Sequence, residues 1–187
     1  KIKSTETKNM AEVAQMALSS GNFLACPDVS ASMTWVGKAP NRPMDIGLAL
    51  SAFMSEIASD DWKDLAMAFS SIPDIINMKG VNGRRLNVFE RIEMLQRNSC
   101  GSTNYLGLHK KLVEICTEKN IKDEDLPVLV VFSDCDFDSG GAIQVNNSYN
   151  YDSTRWSNSV DKTTTHEQAI KLWTDAGYKS SPLVIYW

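Results

Sequence analysis

The sequence has few of the residues that build a metal cluster of the zinc type or a disulfide framework. Its four cysteines, Cys26, Cys100, Cys116 and Cys135, form no C-x-x-C pair, and its two histidines, His109 and His166, lie far from them. That spacing argues against a zinc site. It predicts reduced, mostly buried thiols of an intracellular protein. Nothing local supports a Cys-His nucleophile. No apolar run approaches the roughly 20 residues that span a bilayer, and no signal-peptide pattern opens the chain. Neither a Walker A loop nor G-x-G-x-x-G is present, so no phosphate cradle is written in the sequence. Charge of one sign is also lacking: 19 basic against 23 acidic side chains give a net charge of −4. That balance argues against unaided binding of nucleic acid or an anionic membrane. What remains is 187 residues, 43% hydrophobic, enough for one domain with its own core.

Apolar patterning organises the chain. Met10, Val13, Ala17 and Leu18 recur at helical spacing, so residues 1–21 read as an N-terminal helical extension. Phe23–Cys26 reads as a buried strand. Ile46, Leu50, Phe53, Met54 and Ile57 are expected to mark the apolar face of a helix. Leu65–Phe69 and Ile72–Met78 read as two further strands. Val88, Phe89, Ile92 and Leu95 suggest one side of a helix over 86–95. Tyr105, Leu108, Leu112, Ile115 and Cys116 suggest another. Val128–Phe132 is an unbroken apolar, β-branched run, as in a central parallel strand buried on both faces. Ala169, Leu172, Trp173 and Ala176 restore helical spacing, with Gly177 as its cap, and Pro182–Trp187 is a last strand. Alternating strands and amphipathic helices predict an α/β fold: a Rossmann-like, doubly wound, mostly parallel sheet flanked by helices.

Two of these strands run straight into an aspartate, Asp28 and Asp134. In an open doubly wound sheet, ligands bind beyond the carboxyl ends of the strands where strand order reverses. If these strands flank that point, their carboxylates converge, and paired carboxylates repel unless a cation or proton lies between them. Asp28-x-Ser30-x-Ser32 adds two hydroxyls, and Thr103 supplies a third from the loop Cys100–Asn104. All-oxygen donors of this kind suit Mg²⁺, Mn²⁺ or Ca²⁺. Taken alone, each piece has a plainer reading. Asp and Ser are common in turns and caps, and Ser102-Thr103-Asn104 reads as a helix N-cap. Together and in this order they are far more specific.

With these residues in place, the chain resembles a von Willebrand factor type A domain with a metal-ion-dependent adhesion site. Asp28, Ser30, Ser32, Thr103 and Asp134 carry the resemblance. It is closer to the intracellular branch found in TROVE-module proteins (the Ro ribonucleoprotein autoantigens). It is closest to a related uncharacterised family that carries this domain at its C-terminal end. Those likenesses rest on Gly101–Asn104, on Phe132–Asp138, and on Ala176-Gly177-Tyr178 with Pro182 and the terminal strand. The resemblance implies a divalent cation, Mg²⁺ first, held by Asp28, Ser30, Ser32, Thr103 and Asp134 directly or through water. It implies a partner Asp or Glu that completes the coordination, and binding or assembly as output, not catalysis. The chain departs from the pattern in two places: Ala31 stands where the family commonly has Gly, and Pro27 precedes Asp28. Both raise the question of loop geometry.

Residues 139–163 form a connection of roughly 25 residues, long against the usual 4–6. With Tyr149, Tyr151, Arg155 and Trp156 it is rich in recognition residue types. Trp35, Asn104, Asp136, Tyr149, Tyr151 and Trp156 are the candidate partner contacts. The chain starts at Lys1 and stops at Trp187 inside an apolar run, so residues 22–187 are expected to be the C-terminal domain of a longer, cytoplasmic or intracellular protein. Two other readings stay open. One is Mg²⁺-assisted hydrolysis of a phosphate ester. The other is an accessory role in an RNA-associated protein, although the acidic balance does not favour direct RNA contact.

Overall fold

The two most apolar stretches of the sequence lie side by side at the centre of a five-stranded sheet. β1 (Phe23–Pro27) and β4 (Val128–Phe132) are buried at every position and run parallel, pairing Phe23 with Val128 through to Pro27 with Phe132. The computed structural model describes residues 12, 15–16, 18–69, 72–80, 82, 84–97, 103–134 and 164–187. Its sheet has the order β3-β2-β1-β4-β5, with β2 at Leu65–Ala68, β3 at Asp74–Asn77 and β5 at Val184–Tyr186. Only β3 is antiparallel to its neighbour. The fold is therefore α/β with a mostly parallel sheet, compatible with a Rossmann-like arrangement. The chain builds outward from β1 to β3, then returns to β4 and β5, so strand order reverses between β1 and β4.

Four described helices connect the strands: α1 (Pro43–Ile57), α2 (Val88–Gln96), α3 (Tyr105–Glu118) and α4 (Thr165–Asp175). Their ends follow local chemistry. Asn87 accepts from the backbone N–H of Phe89 and Glu90, while Glu90 accepts from Asn87 N–H, a reciprocal N-terminal cap. Thr164 and Glu167 do the same for α4. At its other end Gly177, at φ +94, lets Tyr178 N–H reach Trp173 O and Gly177 N–H reach Thr174 O, as anticipated for this glycine. Residues 12, 15–16 and 18–20, ahead of β1, are helical.

Several expectations need correction. The strand expected over Ile72–Met78 is confined to Asp74–Asn77. The helix expected from Ile46 begins at Pro43, whose fixed φ suits a first helical turn. Its buried face is only partly the one expected: Leu50 and Met54 are half-buried against the core. Ile46, Phe53 and Ile57 are exposed, whereas Met44, Gly47, Leu48, Ser51, Ala52 and Ser55 face the sheet. At Gly47 the approach is close: a Cβ there would stand 3.1 Å from Phe132 Cβ, so a small residue suits that position. Likewise Phe89 is exposed on α2 and Arg91 is buried. The Arg91 guanidinium donates to Asp64, to Ser55 Oγ at 3.1 Å and to Leu86 O at 3.2 Å. A buried charge so fully paired is tolerable where an unpaired one is not.

Behind the sheet, α3 and α4 are pinned by a buried aromatic and imidazole cluster. Trp173 Nε1–H donates to His109 Nδ1 at 3.0 Å, and the His109 ring lies 4.6 Å from that of Tyr105. Burial pushes the His109 imidazole down to about 4, with His166 a smaller contributor. Cys26 and Cys116 are buried free thiols, as anticipated. Burial raises both, Cys116 to about 12, so neither is a ready nucleophile. Cys100 and Cys135 lie outside the described residues. Among the described residues, no helix is long and apolar enough to cross a membrane.

Candidate functional site

The reversal of strand order puts the end of β1 beside the end of β4. Because Pro27 pairs with Phe132, the next residues, Asp28 and Ser133, fall level with each other. Asp28 N–H donates to Phe132 O at 2.9 Å and extends the ladder by one bond. On the other side Pro27 has no N–H to give β2. Regular pairing of β1 with β2 is confined to Ala25 and Ala66, resuming as an isolated bridge between Asp28 and Phe69. The departure at Pro27 thus loosens one flank of the strand and leaves Asp28 in place.

The Asp28 side chain is buried, at 1% exposure, and held by two donors. Ser30 N–H donates to Oδ1 at 2.9 Å, and the Ser133 hydroxyl donates to Oδ2 at 2.6 Å. The Ser30 and Ser32 hydroxyls are 3.0 Å apart. Between them Ala31 lies at φ −64, ψ −33. That is the ordinary right-handed helical region, so the loop as folded makes no demand for glycine. Ser32 opens a short 3-10 turn, Ser32–Thr34, closed by Trp35 N–H on Ser32 O at 3.0 Å. Trp35 itself is exposed.

Thr103 is buried just ahead of α3. Phe69, bridged to Asp28, stacks on Tyr105 with ring centres 6.4 Å apart and planes at 14°. Tyr105 opens α3, so the buried Thr103 just ahead of it belongs to the same edge of the sheet. Asn104 caps α3, accepting from Gly107 N–H at 2.8 Å. This is the structural role that its sequence context suggested, and it employs the side-chain oxygen of a residue also named as a candidate partner contact. Asp134 follows Ser133 directly and is exposed. Asp136, Tyr149, Tyr151 and Trp156 lie outside the described residues.

Of the expected ligand set, Asp28, Ser30 and Ser32 thus form one hydrogen-bonded cluster, with Thr103 and Asp134 on the elements around it. Ser133 is the member that spacing did not single out. Its signal was its place immediately before Asp134 at the end of the strand that pairs with β1. Among the described residues, no group of three or more His, Cys, Asp or Glu could hold a metal ion. The set here is of another kind, two carboxylates with hydroxyls.

These features define an α/β domain with a mostly parallel sheet, compatible with a Rossmann-like arrangement, and a hydroxyl-and-carboxylate cluster where strand order reverses. The chain belongs to a family described as a domain of unknown function (DUF7788), whose profile matches residues 22–187. Searches of curated proteins and of solved structures found no match.

Proposed function

We propose that this domain is of the von Willebrand factor type A kind and binds protein partners through a divalent cation, Mg²⁺ first. Asp28, Ser30, Ser32, Thr103 and Asp134 would hold the ion, directly or through water, and an Asp or Glu of the partner would complete its coordination. The cation would supply a Lewis-acidic anchor for that carboxylate, and the output is association, not turnover.

The observation that carries the reading is the buried Asp28 carboxylate, oriented by Ser30 N–H and the Ser133 hydroxyl beside two serine hydroxyls 3.0 Å apart. The donor set fits a hard cation. Each Asp28 oxygen keeps a lone pair beyond the one its donor uses. Adjacent ligands of octahedral Mg²⁺, at about 2.0–2.1 Å from the ion, stand about 2.9 Å apart, close to the serine spacing. The position at the strand-order reversal is where this class of sheet binds ligands. With few protein carboxylates in the set, coordination positions remain for an external acid.

The test is thermal unfolding and titration calorimetry with Mg²⁺, Mn²⁺ and Ca²⁺. A ligand that binds only the native state raises Tm. The expected result is a rise with Mg²⁺ or Mn²⁺ that EDTA reverses and Asp28→Ala abolishes. No response to any of the three ions overturns the reading.

A further inference from the structure

We infer that residues 10–21 close as a helical strap over the outward face of α1, pivoting at Gly21. The residues involved are not those of the metal-dependent reading, and neither conclusion rests on the other.

α1 is apolar on both sides. Two of its fifteen residues are charged, Asp45 and Glu56, and Asp45 is paired with Arg42 at 2.8 Å. Opposite the face that packs on the sheet stand Ile46, Phe53 and Ile57, at 41%, 56% and 53% exposure, with the half-buried Leu50 between them. On α3, by contrast, the exposed stripe is charged: Lys110, Glu114 and Glu118. A helix that is apolar all round is one whose outer face is covered too. The intervals from Ile46 through Leu50 and Phe53 to Ile57 are four, three and four residues. That is the seam along which one helix packs on another, so the cover that fits is a helix.

The chain carries a segment of matching pattern with one end already in place. Gly21 is buried, and its carbonyl accepts Ser59 N–H at 2.7 Å. A Cβ on Gly21 would stand 2.8 Å from Ser59 N and 3.2 Å from Ile57 O. The end of the segment therefore lies beside the end of the stripe. Read backward from there, Gly21, Ala17, Ala14 and Met10 repeat the intervals of Ile57, Phe53, Leu50 and Ile46, position for position. Helices that run parallel from a shared end rise equally per residue, so the pairs stay level along the seam. In that register the small Ala17 and Ala14 come opposite the large Phe53 and Leu50, which lets the two helices approach.

The described residues of the segment agree with this placement. Residues 12, 15–16 and 18–20 are helical and exposed. At about 100° per residue, Glu12, Gln15 and Ser19 fall on the side away from the line of Met10, Ala14 and Ala17. A closed strap leaves that side in solvent. Being tethered at one end, the strap opens by a local step ahead of global unfolding. The urea midpoint of the domain therefore reads the inner face of α1 and not this outer one.

The experiment replaces Phe53 with the photo-crosslinking residue p-benzoylphenylalanine in the whole chain and locates the crosslink by mass spectrometry. Expected is a crosslink within one chain to residues within a helical turn of Ala17. Ala17→Asp, which sets a charge against the aromatic ring, should lower its yield at least fivefold. Gln15→Asp, on the outer side of the strap, should leave the yield unchanged. Both substitutions lie ahead of residues 22–187, which the family profile spans, so neither touches the core of the domain. The inference is overturned if no crosslink reaches residues 10–21, if the crosslink joins two copies of the chain, or if Ala17→Asp crosslinks as well as the parent does.

Discussion

The Ser133 hydroxyl donates to Oδ2 of Asp28 at 2.6 Å, joining residues 105 positions apart in sequence. The bond locks the two central strands at the end where their order reverses. It also fixes the orientation of the one buried carboxylate of the cluster. Replacing Ser133 with Ala removes a charge-assisted bond from a buried acceptor, which costs about 1–3 kcal/mol. A Mg²⁺-induced rise in Tm should shrink in Ser133→Ala and vanish in Asp28→Ala. Parallel melts with and without Mg²⁺ measure both effects. An undiminished Mg²⁺ response in Asp28→Ala would remove that carboxylate from the site.

A second buried polar link holds the opposite part of the sheet. Arg91 is 1% exposed and its guanidinium is shared among Asp64, Ser55 and Leu86 O. Asp64 in turn bonds through its main chain to Ser55 O and Met78 N–H. Removing one partner of a buried pair strands the other charge, at a cost of about 3–5 kcal/mol. Arg91→Met should therefore lower the urea midpoint sharply, while Arg97→Met, on an exposed i,i+4 pair with Glu93, should leave it nearly unchanged. Equal midpoints for the two variants would contradict the buried placement.

Much of this was legible in the sequence, for identifiable reasons. β1 and β4 declared themselves because both their faces are buried, so their apolar runs are unbroken. Gly177 declared itself because only its backbone geometry was in question. Asp28, Ser30 and Ser32 were visible because their contacts are local. Ser133 was not, because its partner is fixed by strand register and not by spacing. The inward face of α1 was partly misread because apolarity was weighed and size was not. Gly47 lies inward close to Phe132, Ser55 accepts from Arg91, and Ser51 and Ala52 are buried with them. Arg91 escaped notice because a charged residue reads as surface until its partner is known.

That misreading gives a direct test. On α1, Phe53 is 56% exposed and Leu48 is 1% exposed. Leu48→Ala should cost about 2–5 kcal/mol through lost burial and the cavity left behind. Phe53→Ala should stay within about 0.5 kcal/mol, as surface changes do. Urea unfolding of the two variants decides which face is inward, and the reverse ranking would restore the apolar stripe of Ile46, Phe53 and Ile57 to the core.

His109 gives the pH dependence. Its imidazole is buried between Tyr105 and Trp173, and Nδ1 accepts the Trp173 N–H. Nε2 then carries the proton of the neutral ring, and it has no partner among the described residues. Burial depresses the folded-state value from 6.5 to about 4. Between those two values the unfolded chain binds the proton and the folded chain does not, so stability rises with pH across that window. The contribution is complete above about pH 6.5 and is lost as pH falls toward 4, amounting to about 3 kcal/mol. His109→Gln keeps an acceptor for Trp173 and removes the titration. The stability difference between parent and variant, from urea unfolding at pH 4.5, 5.5, 6.5 and 7.5, should narrow steadily toward low pH. A difference that stays constant would mean that His109 titrates alike in the folded and unfolded chains, and that its burial carries no proton linkage.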